Sequence, residues 1–185
     1  MVYVILGEGF EEIEALAPID ILRRGDVQVS AAGIGGLEVT GGHGIRVRAD
    51  CLLEDVDLDG AEMIVVPGGQ GGVKTVEETP AALELLKRAS EKGKLLAAIC
   101  AGPRVLVKAG LMEGRRCVCY PTQEQFMDGA RVLKGPGTVR DGDIITATGA
   151  ATAMDFGFEL LAALKGEEAA DEVAAKMLCT RQGRN

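Results

Sequence analysis

The strongest constraint on this chain is a set of short, unbroken apolar runs that each end on small residues. VYVIL (2–6) runs into GEG, MIVV (63–66) into PGGQGG, and LLAAI (95–99) into CAGP. Each run is too short for a buried helix and lacks the polar alternation of a half-exposed strand. Continuous Val/Ile/Leu segments of this length fit strands covered on both faces, which means a largely parallel sheet with helices on either side. Between them lie apolar-periodic stretches at 10–24, about 80–92 and 102–109. The tail from Ala150 to Cys179 reads as two helices parted near Lys165–Gly166. LEVTGGHGIRVRAD (37–50) has two short alternating arms around a glycine-rich turn, and VRDGDIITA (139–147) carries a D-G hairpin signal. The expected class is α/β, a doubly wound, mostly parallel sheet between helices with small antiparallel hairpins. At 185 residues without internal repeat or linker, it is expected to be a single domain spanning 1–185.

Composition narrows the partners. A net charge of −8 disfavours general nucleic-acid binding, which needs a basic footprint. No apolar stretch reaches the ~18 residues of a membrane span. With Val2–Leu6 already a strand, no secretory leader is expected, and the five cysteines (Cys51, Cys100, Cys117, Cys119, Cys179) are expected to be reduced thiols in a cytoplasm. Cys117 and Cys119 form a C-x-C pair with no second ligand pair, and the chain has one histidine, so no metal site is expected. The plainer account is two thiols on one face of a strand.

In a doubly wound sheet, sites form beyond the carboxyl ends of the strands, and there the small-residue loops converge. Cys100 occupies the position of a nucleophile delivered by a strand into a sharp turn and a helix. Ala101 and Gly102 allow the turn, and Pro103 suits a first helical position. A helix N-terminus favours thiolate, predicting a Cys100 pKa below the usual ~8.5. Cysteine also simply fills space in many cores, so the local pattern leaves a reactive and an inert thiol open. On a wheel of about 100° per residue, Phe10, Ile13, Ala17 and Ile21 cluster, with Glu14 on the same side and Glu11 and Glu12 turned away. The helix is apolar on other sides too, as a subunit interface would be. An inward carboxyl is usually protonated or paired, and beside a thiol it could donate a hydrogen bond or move protons. The glycines of PGGQGG can present backbone N–H groups to an anion.

LGEGFEEIEALAPIDILRR (6–24), VVPGGQGG (65–72) and AAICAGPRVL (97–106) resemble the motifs of the ThiJ/PfpI superfamily. They are most similar to the clade of the Parkinson's-disease-associated deglycase and its bacterial YajL-like relatives. The resemblance runs nearly end to end. It implies a flavodoxin-like sandwich, a homodimer, an elbow cysteine at Cys100 and a protonated glutamate at Glu14. It also implies an anion pocket of backbone donors from Gly68, Gly69 and Ala101. Relatives are described as glutathione-independent glyoxalases, as deglycases of methylglyoxal adducts and as oxidative-stress sensors; PfpI-type relatives were called proteases. Many relatives carry a histidine where this chain has Tyr120, within CVCYP. Tyrosine is a poor base near neutral pH, which ranks a Cys-His protease last.

His43 reads as a solvated turn residue, or, by resemblance to an arginine of close relatives, as a residue reaching the partner subunit's pocket. Arg24 suits the C-terminal end of its helix and also matches a family arginine near the pocket. The leading expectation is an enzyme that turns over small 2-oxoaldehydes or glycated adducts through Cys100 and Glu14, with no cofactor. The alternative is a non-enzymatic redox sensor or redox-regulated chaperone using the same cysteine. A thiamine-pathway role has no supporting residues.

Overall fold

The computed structural model describes residues 1–135 and 137–181. In chain order the strands are β1 (Val2–Leu6), β2 (Val29–Gly33), β3 (Glu38–Thr40), β4 (Arg46–Arg48), β5 (Cys51–Leu52) and β6 (Met63–Val66). They continue with β7 (Leu95–Ile99), β8 (Arg116–Cys117), β9 (Arg131–Val132), β10 (Thr138–Asp141) and β11 (Ile144–Ala147). The helices are α1 (Glu12–Arg24), α2 (Gln70–Glu77), α3 (Pro80–Glu91), α4 (Pro103–Lys108), α5 (Ala153–Lys165) and α6 (Glu167–Lys176). Among the described residues the main sheet has seven strands in the order β10-β11-β7-β6-β1-β2-β5. All its pairings are parallel except β10–β11.

The register puts Val65 opposite both Val4 and Ala97, so β1, β6 and β7 end close together. Between β1 and β6 the winding reverses, since β2 lies on one side of β1 and β6 on the other. A crevice opens at such a switch point. Successive residues of each strand face opposite sides. Val4, Val65 and Ala97 join the core formed with α1, α5 and α6, whereas Ile5, Ile64 and Leu96 join the core under α2, α3 and α4. This is why the runs are apolar without a break. Helices α1 and α5 lie very close: a Cβ on Gly157 would sit 2.6 Å from Ile21 Cδ1 and 3.2 Å from Pro18 Cα, so any side chain there would make Ile21 move.

The expected hairpins form as β3–β4 and β10–β11, both antiparallel. The second is no appendage, because β11 also pairs with β7 in the main sheet. The split of the tail falls at Gly166, between α5 and α6. Two features go beyond the sequence expectation. PGGQGG does not stay a loop: Gln70 to Glu77 is helical despite Gly71 and Gly72. The glycines serve packing, since a Cβ on Gly72 would come within 2.7 Å of Phe10 Cα. The first helix starts at Glu12 with Glu11 as its cap, so Phe10 precedes it and the wheel is offset. Ile13, expected inward, is 55% exposed. Cys117 and Cys119 are both buried in the core under α4, as two thiols on one face.

Candidate active site

Cys100 follows directly on β7. Its φ of 64° lies in the left-handed region, which a side chain seldom adopts. Two backbone hydrogen bonds hold it there: its N–H donates to Ala147 O at 2.9 Å, and its carbonyl accepts from Tyr120 N–H at 2.9 Å. The chain then turns so tightly that a Cβ on Gly102 would lie 2.9 Å from Ile99 O, and Pro103 opens α4. A strained, doubly anchored residue at a strand-to-helix turn is how functional nucleophiles are presented.

Glu14 comes from the first turn of α1. Its N–H donates at 2.7 Å to the carboxylate of the capping residue Glu11, which fixes that turn. The Glu14 side chain is 1% exposed. Its Oε2 accepts from Gly68 N–H at 2.9 Å, and the carboxyl also receives the Ala150 N–H and a side-chain hydrogen bond with Cys100. Gly68 is the hinge of this arrangement: a Cβ there would sit 2.7 Å from Cys100 Cβ and 3.1 Å from Cys100 Sγ, and would run into Glu14. Any larger residue would push the two functional side chains apart.

The electrostatics reverse one expectation. Burial raises the Glu14 carboxyl to about 7, the neighbouring Glu11 charge adds to the rise, and the hydrogen bonds from Cys100, Gly68 and Ala150 hold it back. Burial first, then the negative charge of Glu14, push the Cys100 thiol up to about 12 rather than below its usual range. The Ala101 and Gly69 N–H groups pull the other way with less effect. The direction is opposite to the one a helix N-terminus alone predicts. Helix α4 has six residues, so its dipole is small, and the thiol shares a desolvated site with a carboxylate. Each group is a cause of the other's shift, so Glu14 and Cys100 titrate as one coupled pair.

The other expected site residues divide into two groups. Gly68, Gly69 and Ala101 gather around the pair: Gly68 spends its N–H on Glu14, while Gly69 and Ala101 direct theirs to the sulfur. Tyr120 stands beside Cys100 through its backbone, with its ring 47% exposed. Within its own chain Arg24 lies away from the pocket. Its Nε donates to Asp20 Oδ2 at 2.7 Å on the exposed surface, about 15 Å along α1 from Glu14 at 1.5 Å per residue. His43 pairs within its own chain, Nδ1 lying 2.8 Å from Glu12 Oε2. That bond raises the His43 pKa.

Glu12 itself was expected to face away, yet it is only 4% exposed. The β3–β4 turn folds over it, and its Oε1 accepts the His43 N–H at 2.8 Å and the Ile45 N–H at 3.4 Å. Glu11, Glu12 and His43 place their ligand atoms within 4.8 Å of one another, the one such group among the described residues. Its geometry is that of a cap and a hydrogen-bonded pair. Arg104 also escaped the sequence reading. It forks onto Glu77 with two bonds of 2.8 Å, reaches Gln123 Oε1 at 3.2 Å and stacks on Phe126, pinning α4 to the segment that follows Tyr120. Its only sequence signal was its place after CAGP. A cavity of about 520 Å³ opens beside the pair, lined by Tyr120, Leu133 and Thr148 to Thr152 among others.

Residues 1–163 match the DJ-1/PfpI family. The Parkinson disease protein 7 homolog of Danio rerio is 34% identical over 179 residues, covering 95% of both chains. The glutathione-independent glyoxalase DJR-1.2 of Caenorhabditis elegans is 34% identical over 172 residues, covering 93% of this chain and 91% of its own. The crystal structure of Drosophila melanogaster DJ-1beta superposes with a TM-score of 0.93 at 33% identity over 97% of both chains. With this sheet order, helix placement and end-to-end similarity, the chain belongs to the DJ-1/PfpI family.

Proposed function

We propose that this protein is a cysteine-dependent, glutathione-independent glyoxalase or deglycase acting on 2-oxoaldehydes such as methylglyoxal and glyoxal, or on their adducts. The observation that carries this reading is the placement of Glu14 against Cys100, so close that a Cβ on Gly68 would meet both, in a site whose burial raises both groups. A base whose pKa lies near the working pH is the right partner for such a nucleophile.

Glu14 takes the proton from sulfur as Cys100 attacks the aldehyde carbon, and the resulting oxyanion is protonated to a hemithioacetal. The Gly69 and Ala101 N–H groups, beside the sulfur, are the donors that stabilise that oxyanion in this scheme. Glu14 then removes the proton on the former aldehyde carbon and returns one to the neighbouring carbon, giving a 2-hydroxy thioester. Water cleaves the thioester, releasing the 2-hydroxy acid and restoring the thiol. For an adduct, Cys100 sulfur displaces the amine or thiol from the former aldehyde carbon as Glu14 passes the thiol proton to the leaving group; the same hemithioacetal results, and isomerisation and hydrolysis follow. The scheme draws on no cofactor. It treats residues 1–185 as one unit working in the cytoplasm as a homodimer. The exposed Ile13, one residue from Glu14, supports a subunit face at the site.

The test is lactate production from methylglyoxal by the purified protein, with Cys100→Ser as control. Lactate formation by the wild type alone is the expected result. No lactate, together with a peroxide-driven mass gain confined to Cys100, would replace this reading with the sensor. Peptide cleavage lost in Cys100→Ser would replace it with the protease.

A further inference from the structure

A three-carbon aldehyde uses little of the space beside Cys100. The adjoining cavity of about 520 Å³ lies within the range that normally encloses a much larger ligand. It shares a wall with the reactive pair. A Cβ on Gly149 would lie 3.5 Å from Tyr120 Cδ2 and 4.0 Å from Glu14 Oε1. Ala150, the next residue, lines the cavity and gives its N–H to Glu14. Tyr120 lines it too and holds the Cys100 carbonyl.

The lining has a consistent chemistry. Tyr120 and Leu133, 47% and 41% exposed, are large apolar side chains left uncovered on the same cavity, with Ala150 and Ala151 between the polar Thr148 and Thr152. No lysine, arginine or histidine is among the described lining residues, and the charged group present is the Glu124 carboxylate. An anionic tail would find no counter-charge there, whereas a neutral apolar tail would displace water from apolar walls.

Building on the proposed chemistry, we infer that this cavity is a subsite for the uncharged aryl or branched-alkyl tail of a 2-oxoaldehyde, with Leu133 and Ala151 as specificity-determining residues. Ala151 is exposed at the rim, so a bulky side chain there fills the cavity without entering the core.

The experiment compares kcat/KM for phenylglyoxal and methylglyoxal in the wild type, Ala151→Phe and Leu133→Ser. A parallel measurement follows binding of acetophenone, which has the aryl tail but no aldehyde, by saturation-transfer NMR. In each variant the phenylglyoxal-to-methylglyoxal ratio is expected to fall by roughly 10-fold or more, the usual scale of discrimination by an apolar pocket. Acetophenone binding should weaken with it. The Leu133 variant keeps the test valid if Ala151→Phe does not fold. A ratio that stays constant while both aldehydes are turned over overturns the subsite and leaves the chemistry standing. No turnover of either aldehyde overturns the chemistry and, with it, this choice of substrate.

Discussion

Replacing Glu14 by glutamine tests the desolvation of this carboxyl through folding stability and its proton transfer through turnover. Its folded pKa of about 7 stands above the ordinary 4.5 because burial disfavours the ionised form. The native state therefore binds the proton more tightly than the unfolded chain does. The resulting stabilisation is fully present below pH 4.5 and is lost as pH rises through about 7. At 1.36 kcal/mol per pH unit, the interval amounts to about 3 kcal/mol. Other carboxylates also titrate, so the relevant quantity is the wild-type stability minus that of Glu14→Gln, from urea unfolding at several pH values between 4 and 8. That difference should fall by about 3 kcal/mol across the window and then level off. At fixed pH the variant also leaves one backbone donor, from Gly68 or Ala150, facing an amide NH₂, at a cost of about 1–3 kcal/mol. Glyoxalase turnover should fall by ~100-fold or more, because an amide cannot carry the proton. A difference curve flat to within about 1 kcal/mol would refute the desolvation argument. A variant keeping over about a tenth of the rate would make Glu14 a structural donor only.

Three further perturbations follow from the same geometry. With the Cys100 thiol pushed up to about 12, the wild type minus Cys100→Ser difference spectrum should show no thiolate band near 240 nm at pH 7, and a band there would place the proton on Glu14 instead. Tyr120→Phe keeps the backbone N–H that holds Cys100, so kcat/KM for methylglyoxal should drop by no more than one ordinary hydrogen bond, ~0.5–1.5 kcal/mol or roughly 2–13-fold; activity at the Cys100→Ser floor would make the hydroxyl catalytic. Glu12→Ala leaves the His43 and Ile45 N–H groups of the β3–β4 turn without their acceptor and should cost about 1–3 kcal/mol in urea unfolding, and an unchanged midpoint would mean the turn is held by other contacts.

The layered fold could be read from the chain because its signal is local. Val2–Leu6, Met63–Val66 and Leu95–Ile99 can hide unbroken apolar faces only inside a sheet covered on both sides, and glycine, proline and a thiol mark where each ends. Cys100 and Glu14 were individually visible, one from its turn and the other from its helical phase. Tertiary structure decided everything that depends on neighbours distant in sequence. Glu12 is buried because a turn 31 residues away folds across it, which no helical wheel contains. Arg24 has the motif position of a pocket residue but lies about 15 Å along α1 from Glu14, held by Asp20. Gly72 stands inside a helix because the Phe10 backbone passes too close for any side chain, and Gly71 faces the Glu8 and Gly9 backbone at 3.0 Å. The direction of the Cys100 shift illustrates the division best. The sequence supplies a thiol and a helix start, which alone favour thiolate. Enclosure beside a carboxylate sets the opposite sign, since desolvation and like charge act on whatever the fold brings together.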